Sequence, residues 1–287
     1  MTPRVPFSTA APPKLRNIRG PSALSGTPKR FWWLIWQLAR TDFVLKYKGS
    51  IFGYLWSLVS PIMLFGVIYL TFTQILRFGN DVNGYAAFLL LNIMLFAFFE
   101  DASARSLVSI VSGESLVRKM DFPRLAIPLS LVLAATFTLV LDLIVVMGYF
   151  VVLDQPVRPT WLLLPVLIVW LYVFTVGCSL LLSTLFVRFR DTAQIWTILL
   201  RVLFYGSPIL YPIELFPESW KFVLLLNPLA PLFNQARIWM VDPSAPSVAE
   251  VVGGWGYVLI PTAIFVFIVV WGVLFFSQEA PRVAEEI

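Results

Sequence analysis

"LAIPLSLVLAATFTLVLDLIVVMGYFVVL" (Leu125–Leu153) is mostly apolar and carries a single charged residue, Asp142, near its middle. The apolar residues fall on every face and do not alternate, so the stretch reads as a buried helix and not as a barrel strand. As a helix it is long enough to cross a bilayer core. The rest of the chain resembles it. Of 287 residues, 59% are hydrophobic, and the mean hydropathy is +0.84. A soluble domain of this length could not hide so much apolar side chain. The expected fold class is therefore an all-α integral membrane protein.

Outward from that stretch the pattern predicts six transmembrane helices: about Leu55–Leu76, Tyr85–Leu107, Leu125–Leu153, Trp161–Val187, Thr192–Leu210 and Tyr257–Ser277. Residues 1–28 are rich in Pro, Ala, Ser and Arg without apolar periodicity and read as a disordered basic tail. Residues 29–48 read as an amphipathic interfacial helix. Trp32, Ile35, Trp36, Ala39, Phe43 and Tyr47 share one face, and Arg30, Gln37, Arg40, Thr41 and Lys48 lie mainly on the other. The alternative is a tilted start to the first span. A signal peptide does not fit, because "RTDFVLKYK" follows the Trp-rich run where a small-residue cleavage site would stand. Residues 49–278 form the six-helix domain and 279–287 a cytoplasmic tail.

Charge sets the expected orientation. The first 50 residues hold nine Lys and Arg, Arg105–Arg124 holds four, and the turn "VRFRD" before the fifth span holds two. The opposite loops hold only Arg77, Arg158, Lys221 and Arg237. Both termini are thus expected in the cytoplasm. Between spans five and six, "YPIELFPESWKFVLLLNPLAPLFNQARIWMVDP" (Tyr211–Pro243) is too apolar for a water-exposed loop, and its prolines break it into pieces too short to span. It reads as two short re-entrant outer helices, about Glu218–Leu226 and Leu229–Val241, since irregular backbone at membrane depth needs protein or a cavity around it. Helices resting on the outer leaflet are the alternative.

The charged segment "GESLVRKMDFPR" (Gly113–Arg124) falls on the cytoplasmic side. Ser112 can cap a short helix there, Glu114 suits its first turn, Arg118 and Lys119 suit its last, and Pro123 ends it. Loose basic residues would suffice as an anchor. A capped helix carrying Leu116, Val117 and Met120 instead suggests a docking surface for a cytoplasmic partner. Catalysis by the chain itself is not expected. It has no His, so the usual general base and metal ligand are absent. Its one cysteine, Cys178, excludes an internal disulfide and a Cys-based zinc site. No phosphate-loop motif is present. Asp101 and Arg105, four apart, suit a structural ion pair. Asp142 and Arg201 are single charges in different spans, so a mutual pair or a wet cavity is expected for them. Phe65, Tyr69 and Phe72, which share a face, and Phe204 with Tyr205 could stack on sugar rings. Lipid contact or core packing is the plainer reading.

"DFVLKYKGSIFGYLWSLVSP" (Asp42–Pro61) resembles the approach to the first span in permeases of bacterial polysaccharide ABC exporters, which move O-antigens, teichoic acids and related lipid-linked glycans. Lys46, Tyr47, Lys48, Ser50, Gly53, Trp56 and Pro61 match the pattern, and Phe52 stands where Leu is usual. "FPR" (Phe122–Arg124), "RFRD" (Arg188–Asp191), "SPILYP" (Ser207–Pro212) and "LNPLAP" (Leu226–Pro231) follow in order. The resemblance implies a homodimer joined to two copies of a separate ABC ATPase, which binds ATP and Mg, with no cofactor in this chain. It implies that Glu114, Ser115, Leu116, Val117, Arg118 and Lys119 form the coupling helix. The Trp-rich helix would be a cytoplasmic gate, where Trp32, Trp36, Arg40, Lys46 and Lys48 meet a polyprenyl-diphosphate headgroup or ordinary anionic lipid. Phe65, Tyr69, Phe72, Phe204 and Tyr205 would line the path. The location would be the bacterial cytoplasmic membrane. An ABC permease for another lipid or drug, a stand-alone secondary transporter driven through Asp142, or a membrane enzyme using Glu100, Asp101 or Asp142 are the competing readings. The sequence shows neither the internal repeat of the second nor the acidic site of the third.

Overall fold

The computed structural model describes residues 28–49, 53, 55–77, 79, 82–113, 123–217 and 220–279. The expected basic tail up to residue 27, the expected coupling helix with Glu114 to Lys119, and the last eight residues lie outside the described residues.

Every described regular element is helical. Helix α1 is Pro28–Tyr47, α2 is Leu55–Leu70 and α3 is Tyr85–Ser112. Then come α4 Ala126–Val152, α5 Leu164–Arg188 and α6 Thr192–Gly206. The short α7 Lys221–Leu225, α8 Ala230–Met240 and α9 Val248–Val252 precede α10 Trp255–Glu279. A π-helical turn at Thr71–Ile75 extends α2, closed by Leu76 N donating to Thr71 O at 2.9 Å. Among the described residues, five stretches are long and apolar enough to cross a membrane: Leu55–Ile75, Tyr85–Ser112, Ala126–Val152, Pro159–Arg188 and Trp255–Glu279. The expected fifth span, Thr192–Leu210, appears as the 15-residue α6. That helix covers about 22 Å, less than the roughly 30 Å of a hydrocarbon core. It stops at Gly206 because Ser207, which precedes Pro208, turns extended.

Helix α3 is the axis of the bundle, with 83% of its most apolar window buried. Helices α4 and α5 pack most extensively against it, and α2 and α6 also lean on it. Helix α10 packs on α5, and α1 packs on α4. The α5–α10 crossing is backbone on backbone. A Cβ at Gly177 would stand 2.7 Å from Val269 Cα, and one at Gly272 would run into the Gly177 carbonyl. Small residues permit this close approach between apolar helices. By contrast α2 and α10 bury only 11% of their windows, so their apolar sides are left for lipid or another chain.

The start of α1 and the end of α10 share one end of the bundle. Ile35 clusters with Ala126 and Ile127, while Phe276 clusters with Ile110 and Leu125. Arg188 pairs with Glu279 there at 3.0 Å. Helix α1 buries the face expected to be apolar, through Ile35, Ala39 and Tyr47. That face is covered by α4 of the same chain: Trp36 and Phe43 meet Phe137 edge-on at 5.3 and 5.6 Å.

Candidate functional site: two ion networks and a polar stripe

Where α1 ends, four charges join it to α3. Lys46 Nζ lies 2.8 Å from Asp101 Oδ2, Arg105 pairs with Asp42, and Arg105 Nη1 reaches Asp101 at 3.7 Å. Asp101 and Arg105 thus form the expected i,i+4 pair, extended by two residues of α1 that spacing alone did not connect. All four side chains keep 26–30% of their exposure, so water still screens them. Beside this network Lys46, Asp101 and Asp142 line one cavity of about 430 Å³.

The segment between α6 and α10 holds the second network. Arg237 on α8, only 4% exposed, donates through Nη1 to both carboxylate oxygens of Glu214 at 2.8 and 2.9 Å, with Asp242 at 3.7 Å. Its guanidinium also sits over the Phe88 ring at 5.5 Å. Residues 207–212 form no helix, so their carbonyls need outside donors. Tyr85 OH donates to Leu210 O at 2.9 Å, and Asn92 Nδ2 donates to Pro208 O at 3.2 Å. The motifs "SPILYP" and "LNPLAP" meet: Asn227 Nδ2 donates to Ser207 Oγ at 2.7 Å, while Asn227 Oδ1 accepts from Leu229 N at 3.0 Å. The last carbonyls of α8 are capped from the turn before α5. Trp239 O accepts from Thr160 at 2.5 Å, Met240 O from Trp161 Nε1 at 3.0 Å, and Val241 O from Arg158 at 2.7 Å. The two short helices expected here are present as α7 and α8. Helix α9, closed by a Ser247–Glu250 capping box, was not anticipated.

Helix α6 shows the third feature. Trp196, Leu200 and Phe204 turn inward, with Trp196 Nε1 donating to Ser103 Oγ at 3.1 Å. Gln194, Thr197, Arg201 and Tyr205 are exposed and fall on one helical stripe. Glu100 of α3 is exposed too, within electrostatic reach of Arg201. A spacing of three, four and four residues was visible in the sequence, but only Arg201 and Tyr205 stood out there.

The other expected site residues divide by burial. Trp32 and Trp36 are 63% and 50% exposed, and Arg40 and Lys48 are exposed. Phe65 is buried, stacked on Tyr69 at 5.6 Å and edge-on to Tyr149 at 5.6 Å. Tyr69 and Phe72 stack on Tyr85, each at 6.3 Å. Phe204 is buried against Phe96 at 5.2 Å, while Tyr205 is 63% exposed. Asp142 and Arg201 are not paired with each other: Asp142 lines the cavity on α4, and Arg201 faces outward on α6. Arg124, just past the expected docking segment, is buried, and its Nε and Nη1 have no acceptor among the described residues. Burial pulls its pKa below the usual guanidinium value.

Residues 34–241 match a protein family described as ABC-2 type transporter. An O-antigen export system permease protein RfbA of Klebsiella pneumoniae is 29% identical over 201 residues, covering 70% of this chain and 77% of the relative. An RfbA permease of Myxococcus xanthus is 27% identical over 219 residues, covering 74% of this chain and 82% of the relative.

Proposed function

Because this chain belongs to the ABC-2 type transporter family, we propose that it is the membrane subunit of an ATP-driven exporter that moves a lipid-linked polysaccharide across the bacterial cytoplasmic membrane. The observation that carries the reading furthest is the exposed polar stripe of α6. Charged and polar side chains facing hydrocarbon are unfavourable, and in membrane helices they mark water-lined paths. One chain leaves this stripe uncovered, so a second copy closes the path over it. Similarity to O-antigen export permeases supports a glycan as cargo. In this reading Tyr69, Phe72 and Tyr205 offer rings to passing sugars, while Phe65 and Phe204 hold those rings in place from the core.

The remaining parts follow the same reading. Both termini lie in the cytoplasm. Helix α6 and the irregular residues after it make the fifth crossing, which brings the total to six, and α7 and α8 dip back from the outer side. Two ATPase subunits bind ATP and Mg, and each drives one copy through the segment Glu114, Ser115, Leu116, Val117, Arg118 and Lys119. Trp32, Trp36, Arg40, Lys46 and Lys48 receive the lipid diphosphate at the inner mouth. The test is reconstitution with the partner ATPase. Replacing Glu114, Leu116 and Arg118 together is expected to uncouple hydrolysis from export. Transport by the chain alone would overturn the reading in favour of a secondary transporter. Cysteines placed at Thr197 and Arg201 are expected to react with a membrane-impermeant maleimide, and native Cys178, being buried, adds little background. Protection of both positions would remove the path from α6.

A further inference from the structure

Asp142 is the polar group that the transport scheme leaves unused. It lies about 15 Å along the axis of α4 from Val152, inside the apolar stretch of that helix. It is 3% exposed, and its Oδ1 has no hydrogen-bond partner among the described residues. Yet it is not sealed in hydrocarbon. It lines the cavity of about 430 Å³ where α1 ends and α2 begins, against α3 and α4. Thr138, Ser60 and Tyr47 bring hydroxyls to the same cavity, and the Tyr47 and Thr138 hydroxyls stand 3.5 Å apart.

Charge identifies what the cavity lacks. Asp42, Arg105, Asp101 and Lys46 form a network in which two acids balance two bases. Lys46, the one base lining the cavity among the described residues, is committed to Asp101 at 2.8 Å. Asp142 is thus a third acid beside two bases, and so far from bulk water its charge has to be met by a proton or by a cation. A neutral sugar hydroxyl could donate to Oδ1 but would not balance that charge. A divalent ion would call for more carboxylates, and no cluster of three metal-ligating acids, histidines or cysteines exists among the described residues. Hard cations take oxygen ligands, and one carboxylate among neutral hydroxyls matches a single positive charge.

We propose that this cavity binds a monovalent metal cation, Na+ or K+, through the Asp142 carboxylate with the hydroxyls of Thr138, Ser60 and Tyr47 around it. The bound ion ties the end of α1 and the start of α2 to α4. It thereby fixes the N-terminal helix against the bundle.

The test uses the purified full chain in detergent and follows thermal unfolding by tryptophan fluorescence. NaCl, KCl and choline chloride are compared at equal ionic strength. The midpoint is expected to rise by several degrees, saturably, in NaCl or KCl over choline chloride, and the better of the two identifies the ion. Asp142→Asn is expected to abolish the difference. Should that variant fail to fold, Thr138→Val is expected to shift the half-saturating concentration several-fold upward. Lys46→Met leaves Asp101 unneutralised beside the ion, so half-saturation is expected at lower concentration. Equal midpoints in the three chlorides overturn the proposal, as does cation dependence that survives in Asp142→Asn or is unmoved in Thr138→Val. A cation effect that appears only in Lys46→Met would make Lys46 the counter-ion of Asp142 and would equally overturn it. No transport is measured, so the outcome does not depend on the proposed cargo.

Discussion

Arg105 and Arg237 each sit between two carboxylates, at different places along the bundle, and their surroundings make them different devices. Arg237 is almost fully buried, donates to both oxygens of Glu214 and lies over Phe88. Arg105 shares Asp42 and Asp101 with Lys46 in a network where every side chain remains partly in water. A buried guanidinium stripped of its partner has no solvent to fall back on, whereas a half-exposed one does. The Arg237 network therefore holds the irregular segment after α6 as a fixed structure. The Arg105 network, screened by water, adds little stability and should be cheap to break.

Four measurements would break or sharpen that contrast. The largest effect is expected for Glu214→Ala, which leaves Arg237 with Asp242 at 3.7 Å as its remaining carboxylate. Glu214 itself is 35% exposed, but leaving the buried guanidinium short of its nearest acceptor costs about 3 kcal/mol, read as a drop in unfolding midpoint. Next comes Asn227→Leu, which removes the bond to Ser207 Oγ and the acceptor for Leu229 N. A loss of about 1–3 kcal/mol is expected, with faster proteolysis between α6 and α8. Asp101→Asn is expected to cost about 1 kcal/mol or less. That loss should shrink further in 1 M salt, where the Debye length is about 3 Å, while the Glu214→Ala loss persists. If Asp101→Asn destabilised the chain as much as Glu214→Ala, the contrast would fail. Trp32→Ala should change stability least, within about 0.5 kcal/mol, because the ring is mostly exposed. In the proposed exporter it should nonetheless slow transport, a separation that a purely structural helix would not show.

The membrane-spanning character was plain in the residues, and so were most helix boundaries. Leu125–Leu153 became α4 with one residue trimmed from each end. The predicted helices in Tyr211–Pro243 were present because prolines mark where a helix must stop. The same rule shortened α6, since Pro208 lies inside the expected fifth span. The pairing of Asp101 with Arg105 was legible as an i,i+4 spacing. Its extension to Asp42 and Lys46 was not, because those residues are 63 and 55 positions away. The proposed coupling segment lies outside the described residues, so its place still rests on charge and capping in the sequence.

Composition and periodicity alone determined that the chain is a helical membrane protein, where apolar runs begin and end, and where charges interrupt them. These are local properties, set by side-chain hydropathy and backbone stereochemistry. Only the tertiary structure decided that α3 would be the buried axis while the more apolar α2 and α10 stay at the edge. It also decided that Asp142 faces a cavity instead of Arg201, and that Asn92 and Tyr85 cap an irregular loop more than a hundred residues away. Hydropathy says that a helix prefers an apolar neighbour, but in a chain this apolar nearly every neighbour qualifies. Close backbone contact at Gly177 and Gly272, together with the need to satisfy each buried polar group, selects among them.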